Sequence, residues 1–217
     1  MNEKIETVLK ALKNNKMNGI YLPDRAAVCE KVRELLFPGC SVSAGGSMSL
    51  VESGVWEILK DEQYCFLDRS RKGLTPEEQQ AVFQKTIGCD FFFCSANALT
   101  QNGELVNVDG LCNRISAIAF GPKKVIAVVG VNKIVDTLDD AFLRVKKIAA
   151  PKNTVRLGCD TPCRTLGHCV ALEKSENPGM TEGCSSPARI CINYQVTAKQ
   201  RDPERITVLL CGEELGY

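Results

Sequence analysis

The run Val125-Ile126-Ala127-Val128-Val129-Gly130-Val131 is apolar at every position. A strand with one face in water alternates apolar and polar residues, so an unbroken apolar run reads as a strand covered on both faces. Covering both faces of a sheet takes helices on each side, and the chain alternates strand and helix patterns over residues 20–149. Residues 3–14 place Ile5, Val8, Leu9 and Leu12 on one helical face. Gly19–Leu22 reads as a strand, Asp24 caps a helix to about Leu36, and Cys40–Ser43 is the next strand. Ser49 and Glu52 have capping-box spacing, with Val51, Val55, Ile58 and Leu59 as the apolar face of the helix they start. Gln63–Leu67 is a third strand, and the charged residues 68–73 are expected to be exposed. Thr75-Pro76-Glu77-Glu78 opens a helix that ends near Gly88. After the apolar run, Asp136 or Thr137 caps a helix to Ala150, where Pro151 is expected to stop it. Residues 152–204 are irregular, Ile206–Cys211 is a last strand, and 212–217 is a tail. The expected fold is α/β in three layers with a largely parallel sheet. It is a single domain over 1–217, with 152–204 a Cys-rich appendage packed on it.

The chemistry gathers in FFFCSANALTQNGELVNVDGLCNRISAIAFG, Phe91 to Gly121. The apolar strand Phe91–Cys94 breaks into small and amide residues, and Asn102-Gly103 signals a hairpin. Ser95, Asn97, Asn107, Asp109, Asn113 and Arg114 then sit at strand ends, where open α/β sheets place ligands. Turn-making explains some of these residues. Arg114 precedes a buried-looking run and needs a partner, either Asp109 or a bound anion. The Gly45-Gly46-Ser47 loop joins a strand to a helix start, a place for an anion, though no Gly-Lys-Ser/Thr closes it as in a P-loop. Lys133, at the end of the all-apolar strand, joins the candidate set.

The 27 basic and 26 acidic residues nearly cancel, which leaves no nucleic-acid footprint. There is no apolar window long enough for a membrane span and no signal-peptide core at the N-terminus, so a cytoplasmic location is expected. In that reducing compartment the 12 cysteines are not expected to form a disulfide framework. Cys29, Cys40, Cys65, Cys89, Cys94, Cys112 and Cys211 are scattered and read mostly as small hydrophobes. Cys159, Cys163, Cys169, Cys184 and Cys191 fall in an irregular segment with few apolar residues. Thiolate-bound metal supplies folding energy to such a segment; free thiols in a loop are the alternative. Cys163, Cys169, Cys184 and Cys191 are the expected ligands, for Zn2+ or an iron–sulfur cluster, with Cys159 a spare and His168 a weaker choice.

GGSMSLVESG, the long stretch from SANALTQNGELVNVDGLCNRISAIAF to GPKKVIAVVGVNKIV, AAPKN and the closing CGEELGY together resemble the LUD domain family, lactate-utilisation proteins of the C type. The resemblance spans nearly the whole chain. It implies a fold similar to that of sugar-phosphate isomerases and CoA transferases. Thr161-Pro162-Cys163, Cys169 and Ser186-Pro187-Ala188-Arg189-Ile190-Cys191 fit the family's cysteine tail, with Ala171–Gly183 an insertion. The resemblance further implies work on small hydroxy or keto acids beside iron–sulfur partner proteins.

Three functions are consistent with these residues. In the first, a redox accessory component holds a small carboxylate at Gly45, Gly46, Ser47, Ser95, Asn97, Asn107, Asn113, Arg114 and Lys133, with Asp109 or Glu52 moving a proton. In the second, Glu52 is the nucleophile of an isomerase or acyl transferase. In the third, the chain is a sensor or assembly subunit with structural zinc.

Overall fold

The computed structural model describes residues 2–217. The first half runs α1 (Glu3–Asn14), β1 (Asn18–Leu22), α2 (Arg25–Leu35), β2 (Ser41–Ala44), α3 (Met48–Glu52), α4 (Val55–Leu59), β3 (Cys65–Leu67), α5 (Pro76–Ile87) and β4 (Phe91–Cys94). There follow β5 (Ala98–Thr100), β6 (Leu105–Asp109), α6 (Asn113–Ala119), β7 (Lys124–Gly130), β8 (Ile134–Val135) and α7 (Leu138–Arg144). A π-helical segment, Val145–Ala149, continues directly into α8 (Ala150–Leu157). The chain ends with α9 (Pro162–Leu166), β9 (Asn193–Thr197) and β10 (Ile206–Cys211).

Six strands form a parallel sheet in the order β1-β10-β7-β4-β2-β3. The all-apolar run lies near its centre as β7. Val125, Ala127 and Val129 face one core with Ile5, Val8 and Leu12 of α1 and Ala117 and Ile118 of α6. Ile126 and Val128 face the other, with Val28 and Val32 of α2, Leu50 of α3 and Val55 and Leu59 of α4. Helices on both faces explain why β7 carries no polar alternation.

The cap residues read from sequence act as caps. Asp24 accepts from Ala27 N, and Thr75 and Glu78 make a reciprocal capping box. The region after β2 differs from expectation. Ser49 and Glu52 form no capping box: Ser47 is the N-cap, and Ser49 Oγ donates to the Leu215 carbonyl. The expected single helix is two short ones, separated at Ser53–Gly54, where Gly54 takes φ of 82°. The break turns Val51 out to solvent, 51 % exposed, instead of into the core.

Pro151 does not end the α7 helix. It sits in the first turn of α8, just after the π segment, where the Ala150 N–H reaches the Val145 carbonyl. Proline lacks an N–H and crowds the carbonyl four residues back; a wider turn before it absorbs both defects. The helical path therefore extends to Leu157.

The Asn102-Gly103 hairpin pairs β5 with β6, and Gly103 takes φ of 78°. It belongs to a second, four-stranded sheet, β8-β5-β6-β9. In that sheet β9, from the region read as irregular, pairs antiparallel with β6 from Asp109↔Asn193 to Leu105↔Thr197. The Cys-rich segment is thus tied to the fold by a strand. Among the described residues no helix is long and apolar enough to cross a membrane.

Candidate functional site

Neighbouring strands β2 and β4 send their chains to opposite faces of the sheet. The helices after β2 pack in one core and α6, after β4, packs in the other. A crevice opens where connections part this way, outside the carboxyl ends of the strands. Here it is a cavity of about 270 Å³, lined by residues from the loops after β2, β3, β4 and β7, from β6–α6 and α8, and by the last residue, Tyr217.

Arg114, on the first turn of α6, is fixed in its wall. Nη1 donates to Asn107 Oδ1 at 2.9 Å and the Ser95 carbonyl at 3.5 Å. Nη2 donates to the Val108 carbonyl at 2.5 Å and Asn97 Oδ1 at 3.3 Å. Asp109 Oδ2 accepts from the Arg114 backbone N–H at 3.1 Å and lies 3.7 Å from Nε. Gly45 leaves room for the stem: a Cβ there would sit 2.9 Å from Arg114 Cδ. The guanidinium therefore has protein acceptors for its terminal N–H groups. It contributes a held positive charge and braces the loops that carry Ser95 and Asn97.

Lys133 lies just past β7 and is buried, yet it reaches the cavity wall. Nζ donates to Ser49 Oγ at 2.8 Å, Ser95 Oγ at 3.1 Å and the Ala96 carbonyl at 3.3 Å. Burial pushes its pKa down to about 7, and the Arg144 and Arg114 charges add to the effect while Glu52 opposes it. Three acceptors around one amine suit the ammonium form, so charge at Lys133 balances burial against hydrogen bonding. Buried Arg144 binds the Asn97 and Asn132 carbonyls and fixes the backbone on either side of this lysine.

Of the residues expected to bind a ligand, Gly46, Ser47, Ser95, Asn97, Asn113, Arg114 and Lys133 line the cavity, as does Asp109. Gly45 and Asn107 stand behind Arg114 instead. Glu52 is not in the lining: it is exposed, and its Oε2 accepts the Gly216 N–H at 2.6 Å. It ties down the tail. The helix after Gly45–Ser47 has only five residues, so its dipole is small.

Sequence reasoning missed three contributors. Arg69, expected to be exposed, is half-buried in the cavity wall. Among the described residues its guanidinium makes no salt bridge and donates no hydrogen bond; it lies over the Phe83 ring at 5.7 Å. Burial pushes its pKa below the ordinary arginine value, Asp109 opposes, and Arg114 and Arg156 add to the lowering. Arg156 lies on the helical turn beyond Pro151. Its Nε donates to Tyr217 Oη at 2.9 Å and Asn153 Oδ1 at 3.1 Å. Both guanidinium groups approach Gly46: a Cβ there would meet Arg69 Nη2 at 3.3 Å and Arg156 Nη2 at 3.7 Å. Tyr217 joins them because Leu215, fully buried, anchors the tail. The run of polar and charged residues around Arg69, Asp68 to Lys72, gave no cue, but AAPKN with Arg156 one turn on would have done so had the helix been extended through the proline.

The cysteines form a second grouping. Cys163, Cys169, Cys184 and Cys191 all line one small, almost wholly apolar chamber, and Cys159 does not. Among the described residues no three His, Cys, Asp or Glu side chains are gathered as a metal-ligand set as they stand.

Two solved structures share features of this chain. One, titled a DUF162 family protein from Deinococcus radiodurans, is 12 % identical, covers 97 % of each chain and has a TM-score of 0.49. The other, eIF2B beta from Chaetomium thermophilum, is 20 % identical over 61 % of this chain and 46 % of its own, with a TM-score of 0.35. No curated protein matches. The family model of the LUD domain matches residues 5–211, almost the full length, and the chain belongs to the LUD domain family.

Proposed function

We propose that this protein binds a small hydroxy or keto acid as an accessory component of lactate utilisation or related redox metabolism. Family membership supports the metabolic setting. The observation that carries the binding reading is Arg69: a half-buried guanidinium without a protein partner, approaching Arg156 over Gly46. Arg69 is half-buried and Arg156 exposed, and an anion between the two guanidinium groups offsets their repulsion. With Arg114 and Lys133 the wall has four cationic side chains against one carboxylate, Asp109. Met48, Val145 and Leu157 supply an apolar surface for the carbon chain. The carboxylate sits at Arg69 and Arg156, and the 2-hydroxy or 2-oxo group is directed to Ser95, Asn97 and Lys133. Iron–sulfur proteins are the partners this setting implies. Glu52 is outside the pocket lining and accepts the Gly216 N–H, so the acyl-transfer alternative has less support.

Calorimetric titration of the full chain with lactate, pyruvate, longer 2-oxo acids and acetate tests the reading. Saturable binding of a 2-hydroxy or 2-oxo acid, tighter than acetate, is expected. Equal or no binding of all these acids at millimolar concentration would refute it.

A further inference from the structure

Four thiols and two cationic side chains meet at the thiol chamber. Its four sulfur-bearing residues come from separate pieces of chain: Cys163 on α9, Cys169 before a 3-10 turn, Cys184 in the following loop and Cys191 just before β9. The chamber volume is about 20 Å³, room for one water-sized sphere. Among the described residues no carboxylate or imidazole lines it, so the four sulfurs are the ligands it offers.

Two cations border this chamber without a carboxylate. Lys146 lines it and is 3 % exposed; Nζ reaches the Glu182 carbonyl, and among the described residues it makes no salt bridge. The Arg189 guanidinium donates to Cys191 Sγ at 3.3 Å and to the Cys184 and Thr181 carbonyls at 3.1 and 2.6 Å, again with no carboxylate among the described residues. Lysine is almost never this buried without a counter-charge. The hydroxyls of Thr161 and Thr154 lie 3.3 and 3.6 Å from Cys163 Sγ, a sulfur environment that stabilises a thiolate ligand.

We propose that Cys163, Cys169, Cys184 and Cys191 bind one zinc ion as a tetrathiolate centre. Four thiols release four protons to solvent, four Zn–S bonds form, and the complex carries two negative charges. Lys146 and Arg189 offset both. Binding draws the sulfurs in from their present spacing and stabilises a segment with few buried apolar residues. Nothing in this proposal depends on which acid the neighbouring pocket takes.

Elemental analysis of the full chain, purified under reducing conditions, is the first measurement. About one zinc per chain is expected, with C169S and C184S losing it and C159S keeping it. Titration of the stripped wild-type chain with Co2+ gives a second readout that needs no variant to fold. One equivalent should produce the intense absorption of a tetrahedral cobalt thiolate. Iron with acid-labile sulfide would overturn the single-ion assignment in favour of a cluster. A metal-free chain with no cobalt thiolate spectrum would overturn the site, as would full zinc retention in folded C184S. These readouts use no organic ligand, so their failure is distinguishable from failure of the acid-binding reading.

Discussion

Replacing Arg69 with methionine separates a ligand-binding arginine from a structural one. The long apolar stem is kept and the charge removed. In the ligand-free chain Arg69 has no carboxylate partner, and what it loses is its position over Phe83, about 0.5–1 kcal/mol. Relief of repulsion from Arg156 and Arg114 offsets that by a similar amount at a partly exposed site. Stability from urea unfolding should therefore stay within about 1 kcal/mol of wild type. Binding should behave differently. A hydrogen bond from a charged donor to an anion contributes about 1.5–3 kcal/mol, and about 1.4 kcal/mol is a factor of ten in affinity. Calorimetry on R69M should show a loss of roughly ten- to a hundredfold by those magnitudes. Unchanged affinity would refute the role given to Arg69. A stability loss above about 2 kcal/mol would show that the guanidinium has a structural partner in solution, contrary to the reasoning.

Gly45→Ala should destabilise the chain by about 1–3 kcal/mol in urea unfolding, because the added Cβ meets Arg114 Cδ at 2.9 Å and the guanidinium is held at its far end. Lys133 makes acid binding pH-dependent: its amine is charged below about 7, so affinity should fall as pH rises through that value, and K133M should flatten the profile. The same depressed pKa gives ligand-free stability a sign. The unfolded chain binds more protons than the folded one between about 7 and the ordinary lysine value, so stability from this group rises with pH across that window and the slope disappears in K133M.

Local signals were enough to place β7 and the capped helices α2 and α5, because a strand buried on both faces and a Thr-Pro-Glu-Glu start leave few alternatives. They also named the loops after β2, β4 and β7 that meet at the cavity. What was illegible depended on distant parts of the chain. Ser49 and Glu52 have the spacing of a helix cap, but both are engaged by the C-terminal tail, at Leu215 and Gly216. Pro151 reads as a stop, and only a π turn before it lets the helix carry Arg156 to the pocket. Arg69 looks like an exposed charge among charges, since nothing nearby in sequence tells that Gly46 lies beside it. β9 has a partner in β6 more than 80 residues earlier, a pairing that no local pattern announces.

The π segment also joins the two sites. Val145, its first residue, and Ala150, just past its end, line both the candidate pocket and the thiol chamber. Ile190 lines the pocket and the adjacent Cys191 lines the chamber. A metal that draws in Cys163 and Cys191 therefore acts on the wall against which the acid packs, and on the helix that carries Arg156. Coupling between sites through a shared packed element amounts to about 1–3 kcal/mol, or roughly 5- to 150-fold in affinity. The stripped chain should bind its acid at least about fivefold more weakly than the zinc-loaded one, at the low end of that range. Reciprocity requires the acid to tighten zinc binding by the same factor, which competition with a chelator measures independently. Equal acid affinities with and without zinc would show that the wall is rigid and that the two sites only happen to be neighbours.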